Sequence, residues 1–393
     1  MMSEKQKKIM VSIIGPSSHF LSGISYYTTR LSNALASIYH VQALLFRDML
    51  PTFLFPGAKR IGNSLSTLTY DQEVVVHEGI DWYNPLSWYQ AYVQALRGDV
   101  CILEWWTSSV SHMYLCIALL LRLRRVPLIM EFHEVVDPLE DAILPIRIYS
   151  RLMGRMIRGL CTRYIVHSAH DQELIAKKYG MKPDSIEIIP HGLYDQYPLL
   201  SRDIALEYLN IPSYISTVFL FFGLIRPYKG VAQLIHAFEQ LSPDEKEHAL
   251  LVIAGEAWED QYSISRAEES PDKDRIRLYS KYIGDDEVPY FFSAADALVL
   301  PYTRASQSGV AHIGISYGIP IIATKVGGLV ESLGKYEGTK FVPPEDEVSL
   351  TSALASIIYR EEDTHYDIPS SLRWDGVATR WVDVITKHLF GER

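Results

Sequence analysis

The chain has 393 residues, 48% hydrophobic and 21% charged, with 37 basic against 47 acidic side chains and a net charge of −10. That length exceeds one ordinary core and predicts two domains of about 150–200 residues each. The acidic balance argues against nucleic acid as the main partner, and three scattered cysteines (Cys101, Cys116, Cys161) with no CxxC pair argue for a reducing compartment and against a structural zinc site.

The N-terminal Met1–Lys8 is charged, but only a short apolar run separates it from Gly15-Pro16, so it does not read as a signal peptide. No stretch reaches the ~18–20 apolar residues that cross a bilayer. The longest candidate, Met113 to Leu121, is stopped by Arg122-Leu123-Arg124-Arg125. A cytoplasmic protein is expected, with peripheral contact at the inner face of a membrane left open.

In chain order, Ile9–Ile14 is a short apolar run stopped by Gly15-Pro16, a first buried parallel strand. Gly23 to Leu35 has helical spacing, with Ile24, Tyr27, Leu31 and Leu35 on one face. Val41 to Phe46 reads as a second strand, and Arg47 to Tyr83 has many turn formers and weak periodicity. Asp99–Glu104 and Pro127–His133 read as strands around a helix from Ser109 to Arg124. A basic helix, Ile146–Leu160, precedes the strand Arg163–Ser168, the helix Ala169–Tyr179 and the strand Ile186–Gly192.

A break between Tyr194 and Pro212 divides the chain, and the second half repeats the alternation. Strands are expected at Val218–Phe222, Leu250–Gly255, Ile276–Tyr282, Ala297–Leu300 and Pro320–Thr324. Helices are expected at Val231–Leu241, Val288–Ala294, Gly309–Tyr317 and Leu350–Tyr359. The tail from Leu372 to Leu389 is amphipathic, with Trp374, Val377, Trp381, Val384 and His388 at helical spacing. The pattern predicts two doubly wound α/β domains. The expected domains are 1–198, 199–370 and a C-terminal helix, 371–393, that crosses back onto the first.

Arg226 and Lys229 follow a buried strand inside a strand–Gly–turn–Gly–helix pattern, Gly223 to Gly230. An isolated R-x-x-K is more often a solvated turn; this context favours two cations aimed at one phosphate. Gln307, Ser308 and Gly309 stand between a strand and a helix, where backbone N–H groups bind phosphate and where a plain N-cap would look the same. Gly23 opens a helix and would let a ligand approach the backbone. His133 ends an apolar strand before Glu134 and Asp137; it could donate to a sugar hydroxyl, shuttle a proton or simply be satisfied by a carboxylate. No second His has ligand spacing there, so no metal is expected, and His191 and His312 read as structural. Arg147, Arg151, Arg155 and Arg158 form one helical stripe beside Ile148, Leu152 and Met156. A solvated helix face is the plainer reading; contact with anionic lipid headgroups is the other.

Taken in order, these segments resemble the GT-B glycosyltransferases of the large retaining family four (glycosyl transferases group 1). Phe222–Gly230 is the closest match. Ser22-Gly23-Ile24, Phe132-His133-Glu134, Ile188–Gly192, Ile253–Gly255, Ala295–Pro301, Gly318–Thr324, Val326–Glu331 and the tail with Trp374 follow in the family's order. The resemblance implies two Rossmann-like domains facing a cleft. It implies retaining transfer of a sugar from a nucleoside-diphosphate sugar to a saccharide, lipid-linked or small-molecule acceptor, without metal or other cofactor. Arg226 and Lys229 would bind the diphosphate, His133 would hold the sugar, and Gly23 would let its loop close over the phosphates. The family's two glutamates are absent: Ala305 or Ser306, and Ile313, stand in their places. That departure keeps a second reading, a non-catalytic or regulatory protein on a degenerate scaffold. A phosphorylase is disfavoured, because no lysine suited to a covalent cofactor stands out.

Overall fold

The computed structural model describes residues 9–17, 23–48, 68–107, 110–133, 144–305, 308–360 and 365–391. The chain divides into two compact units, Met1–Gly192 together with Ser371–Arg393, and Leu193–Ser370. No helix among the described residues is long and apolar enough to cross a membrane.

The first unit is built on β1 (Met10–Pro16), β2 (His40–Asp48), β3 (Val74–Asp81), β4 (Val100–Trp105), β5 (Leu128–Phe132), β6 (Arg163–Val166) and β7 (Ile186–Ile188). They form one parallel sheet in the order β3-β2-β1-β4-β5-β6-β7. Neighbouring residues of a strand face opposite layers. Ile14 and Leu103 therefore pack with Met113, Ile117 and Ile157 on one side. Ile13 and Ile102 pack with Tyr27, Leu31, Trp381 and Ile385 on the other. The C-terminal helix Trp374–Phe390 is thus part of this core, beside the helix Gly23–Ala36.

The second unit holds β8 (Thr217–Phe222), β9 (Ala249–Ala254), β10 (Ile276–Tyr279), β11 (Ala297–Leu300), β12 (Ile321–Thr324) and β13 (Thr339–Val342). Its parallel order is β10-β9-β8-β11-β12-β13. Every residue of β8, β9, β11 and β12 is buried, as expected of central parallel strands covered on both faces. Polar caps start its helices: Asp346 accepts from the Ser349 N–H at 2.9 Å ahead of Glu347–Ile358.

Both halves are doubly wound, as the alternation predicts. In each sheet the connections run outward in opposite directions from one pair of strands, β1/β4 and β8/β11. Ligands of such sheets sit beyond the strand C-termini at this point. Two edge strands escape the sequence reading. β3 lies inside the stretch of weak periodicity, and β13 follows the last strand predicted.

Candidate functional site

In the second unit, three loops meet at the C-terminal end of the sheet beside the β8/β11 pair. After β8 the chain runs alongside the end of β9. The Ile225 N–H bonds the Glu256 carbonyl at 2.9 Å, and the Trp258 N–H bonds the Ile225 carbonyl at 2.8 Å. Pro227–Lys229 then makes one 3-10 turn, closed by the Lys229 N–H on the Arg226 carbonyl at 2.8 Å. Gly230 ends the turn at φ +69°, and a Cβ there would lie 2.0 Å from the Pro301 carbonyl oxygen. Only glycine fits such a left-handed, crowded position.

The loop after β11 is tied to this turn, because the Thr303 N–H donates to the Tyr228 carbonyl at 2.8 Å. The loop after β12 is tied to it in turn, through the Gly328 N–H on the Ala305 carbonyl at 3.1 Å. Ser308 caps the helix Gly309–Ser316, accepting from the Ala311 N–H at 3.4 Å, and its hydroxyl lies 3.4 Å from that of Tyr302. Gly309 is exposed at the start of that helix.

Two cations are mounted on this frame by aromatic rings. The Lys229 ammonium sits 3.6 Å from the centre of the buried Tyr302 ring. The Arg226 guanidinium lies 5.0 Å from that of Trp258. Such contacts place a cation without neutralising it. Both side chains are half-buried. Among the described residues no carboxylate pairs with either, and Arg226 Nε is buried without a partner. Arg304, exposed and 5.2 Å from the Tyr228 ring, adds a third cation that the motif reading passed over. The assembly is a positively charged, hydrogen-bonding rim suited to a diphosphate.

The structure therefore brings Arg226, Lys229, Ser308 and Gly309 together. Gln307 lies outside the described residues. Of the residues standing where the family carries its glutamates, Ala305 is half-buried in the loop, Ser306 lies outside the described residues, and Ile313 is 7% exposed on the helix. Neither Ala305 nor Ile313 has a side chain that can take a hydroxyl's hydrogen bond.

The first unit carries Gly23 and His133. Gly23 is the first residue of its helix and is exposed. The imidazole of His133 is only 3% exposed and faces the interior, and Glu134 and Asp137 lie outside the described residues. His133 joins a buried polar cluster that sequence reasoning missed. Glu131 Oε1 accepts from the Tyr27 hydroxyl at 2.5 Å. Glu131 Oε2 lies 3.8 Å from His133 Nε2, and both atoms lack a hydrogen-bond partner. His133 Nδ1 lies 3.3 Å from His167 Nε2, and His167 Nδ1 lies 3.0 Å from the Ile189 carbonyl. Glu104 bonds the Thr28 hydroxyl at 2.5 Å nearby, and a side chain on Gly15 would collide with that carboxylate. The His191 ring packs on those of Tyr27 and His167.

Burial decides the charge state of this cluster. It pushes the Glu131 carboxyl up to about 8, against a smaller opposing effect of the Tyr27 bond. It also raises Glu104, helped by the charge of Glu131. Burial lowers His167 to about 3 and His191 to about 4, and His133 falls well below the usual histidine range. At neutral pH the neutral forms of Glu131 and of the three histidines are then favoured. The hydrogen bonds fit that state. His167 donates from Nδ1 to the carbonyl, so its Nε2 accepts from His133 Nδ1. His133 Nε2 is left bare, 3.8 Å from Glu131 Oε2. Glu131, His133 and His167 also each place one ligand atom within 4.8 Å of the others. In the neutral chain His167 Nε2 is already engaged as an acceptor.

A family model described as "Glycosyl transferases group 1" matches residues 215–368, and one described as "Glycosyltransferase Family 4" matches residues 21–196. The D-inositol 3-phosphate glycosyltransferase of Corynebacterium efficiens is 27% identical over 223 residues, covering 52% of each chain. The mannosylfructose-phosphate synthase of Agrobacterium fabrum is 26% identical over 199 residues, covering 48% of this chain and 43% of its own. The chain spans about half the length of the curated relatives it matches. Among solved structures, Anabaena HepE in complex with UDP aligns with a TM-score of 0.62 at 16% identity, over 97% of both chains. The sucrose-phosphate synthase of Thermosynechococcus elongatus aligns with 0.62 at 17% identity, over 96% of this chain and 98% of its own. At those identities the likeness is one of fold.

Proposed function

This chain belongs to the group 1 glycosyltransferases of the GT-B fold, and from that premise we propose that it transfers a sugar from a nucleoside-diphosphate sugar to an acceptor hydroxyl with retention of configuration. The observation that carries the proposal is the pair Arg226 and Lys229, held uncompensated on aromatic rings at the switch point of the second sheet. HepE, which shares the fold, is bound to UDP in one structure and to UDP-glucose in another, which supports a nucleotide-sugar donor.

In the reaction the bond from the anomeric carbon to the β-phosphate oxygen breaks, and its electron pair leaves with the diphosphate. The bond to the acceptor oxygen forms on the same face, and the acceptor's proton passes to the departing phosphate or to water. Negative charge therefore grows on the diphosphate as the bond breaks. Arg226 offers two N–H groups in a planar fork, Lys229 adds a point charge, and the helix starting at Gly309 adds backbone N–H donors. The positive charge comes from the chain's own side chains, and no resident cofactor is invoked.

The test is thermal unfolding of the chain with UDP, GDP and ADP, followed by transfer and hydrolysis assays across the matching nucleotide sugars. One nucleotide should raise the midpoint by roughly 2–4 °C for each kcal/mol by which it stabilises the folded chain, and Arg226→Ala should abolish the rise. No response to any nucleotide would favour the degenerate-scaffold reading, which the absence of both glutamates, at Ala305 or Ser306 and at Ile313, motivates.

A further inference from the structure

The helix Leu144–Leu160 carries four arginines and no acidic residue, in a chain of net charge −10. Its buried side is Ser150, Gly154 and Ile157, next to the helix Ser111–Leu123. Its outer side is not polar. Leu144, Ile148, Leu152 and Met156 are 62%, 60%, 55% and 47% exposed. Four residues apart at about 100° per residue, they form one continuous apolar stripe, and Arg147, Arg151, Arg155 and Arg158 border it along one edge. Single exposed apolar residues are ordinary, but a row of four on one helix marks a surface that meets something apolar. The neighbouring helix adds Leu119 and Leu123, exposed, and ends in the exposed Arg122, Arg124 and Arg125.

A second observation stands beside the stripe. Arg151, Arg155 and Arg158 line a cavity of about 700 Å³ with Lys178, Tyr164 and Tyr179, and among the described residues no carboxylate is in its walls. The Arg158 guanidinium stacks 3.7 Å above the Tyr179 ring. The Tyr164 hydroxyl, bonded to the Arg158 carbonyl at 2.6 Å, pins the end of the helix there.

We propose that this face docks on an anionic bilayer, the apolar stripe entering the acyl boundary while the arginine stripe and its cavity take lipid phosphate headgroups. A soluble phosphate would use the cavity and leave the stripe in water. A second copy docking through the same stripe would set arginine against arginine. A surface that is apolar beyond and phosphate-coated at its edge matches both features. The inference is independent of the proposed sugar transfer, because it rests on other residues and is read without a nucleotide.

The experiment is flotation of the full chain with vesicles of phosphatidylcholine alone and of phosphatidylcholine mixed with phosphatidylglycerol. Binding is expected to the mixed vesicles only and should weaken as salt is raised. Arg151→Ala with Arg155→Ala should lower the partition about 25-fold, from roughly fivefold per arginine. Ile148→Ser with Leu152→Ser should lower it at low salt too; these side chains are exposed, so unchanged circular dichroism and unfolding midpoint are expected of that variant. Equal binding to both vesicle types, or wild-type binding by both variants, would overturn the proposal. So would stabilisation by inorganic phosphate without vesicle binding, or a dimer in light scattering that the Ile148→Ser, Leu152→Ser variant dissociates.

Discussion

Arg226 and Lys229 in the second unit, and Glu131, His133 and His167 in the first, occupy equivalent places. Each set stands at the C-terminal end of a parallel sheet, close to the strand pair where the winding reverses. Their electrostatics are opposite. The cations are half-buried, rest on aromatic faces and have no partner carboxylate among the described residues. The acids and histidines are sealed in, with side chains 0–3% exposed, and burial drives them to their neutral forms. A titratable group at a strand end is therefore not yet a charged group. It keeps its charge for a ligand only where the frame holds it at the surface; where the frame buries it, the charge is given up and neutral hydrogen bonding is what remains.

The largest expected effect tests the exposed side of that contrast. Arg226→Ala or Lys229→Ala should lower turnover about 10²–10³-fold, or ~3–4 kcal/mol of lost charge stabilisation. Each also loses a cation–ring contact worth about 0.5–2 kcal/mol. Activity should thus fall much further than stability, a difference read by comparing kcat/KM with the unfolding midpoint of the same preparation. A variant that loses both in proportion would mean that the pair is structural, and the contrast with the buried cluster would vanish.

A change in the frame should cost less, and should cost it in stability. Gly230→Ala forces a side chain into a left-handed backbone, against the Pro301 carbonyl oxygen 2.0 Å away. The left-handed conformation alone costs about 1–2 kcal/mol, and the clash adds to it. Urea unfolding should show a loss of at least that size, and nucleotide binding should weaken because the turn carrying Lys229 must shift. An unaltered midpoint would show that the loops after β8 and β11 are not locked together as described.

How much of this was legible depended on how local each signal is. β8, β9 and β11 announce themselves as unbroken apolar runs because both their faces are covered. β3 and β13 are edge strands in which exposed and half-buried residues interrupt the buried ones, so their patterns break and they were missed. The Arg226–Lys229 turn was readable because strand, glycine, cation and glycine follow within a few residues. Arg304 was not, because it reaches Tyr228 only after the loop beyond β11 folds back. The buried cluster draws on Tyr27, Glu131, His133, His167 and His191, which no spacing rule links. One signal was present: Glu104 and Glu131 each stand inside an otherwise apolar strand, where a carboxylate must find partners or lose its charge.

The smallest effect tests the buried side, through pH. Tyr27, Glu104, His133 and His167 are the titratable groups that face Glu131. Burial raises Glu131 from 4.5 to about 8, so between those values the folded chain holds a proton that the unfolded chain has lost, and stability falls as pH rises. The histidines work in the other direction. His167 and His191 are lowered from 6.5 to about 3 and about 4, so below 6.5 the unfolded chain binds protons that the folded one refuses, and stability falls as pH drops. The two slopes oppose each other between 4.5 and 6.5. Above 6.5 only the carboxyl slope remains, at most about 1.4 kcal/mol per pH unit from Glu131. Glu131→Gln keeps the oxygen that accepts from Tyr27 and puts an N–H in place of the acid proton facing His133. Urea titrations from pH 6.5 to 8 should therefore show a falling limb in the wild type and a flatter one in the variant, with the variant the more stable at pH 8. A variant less stable than wild type at pH 8 would mean that the folded state prefers an ionised Glu131, and that this strand end keeps its charge as the other does.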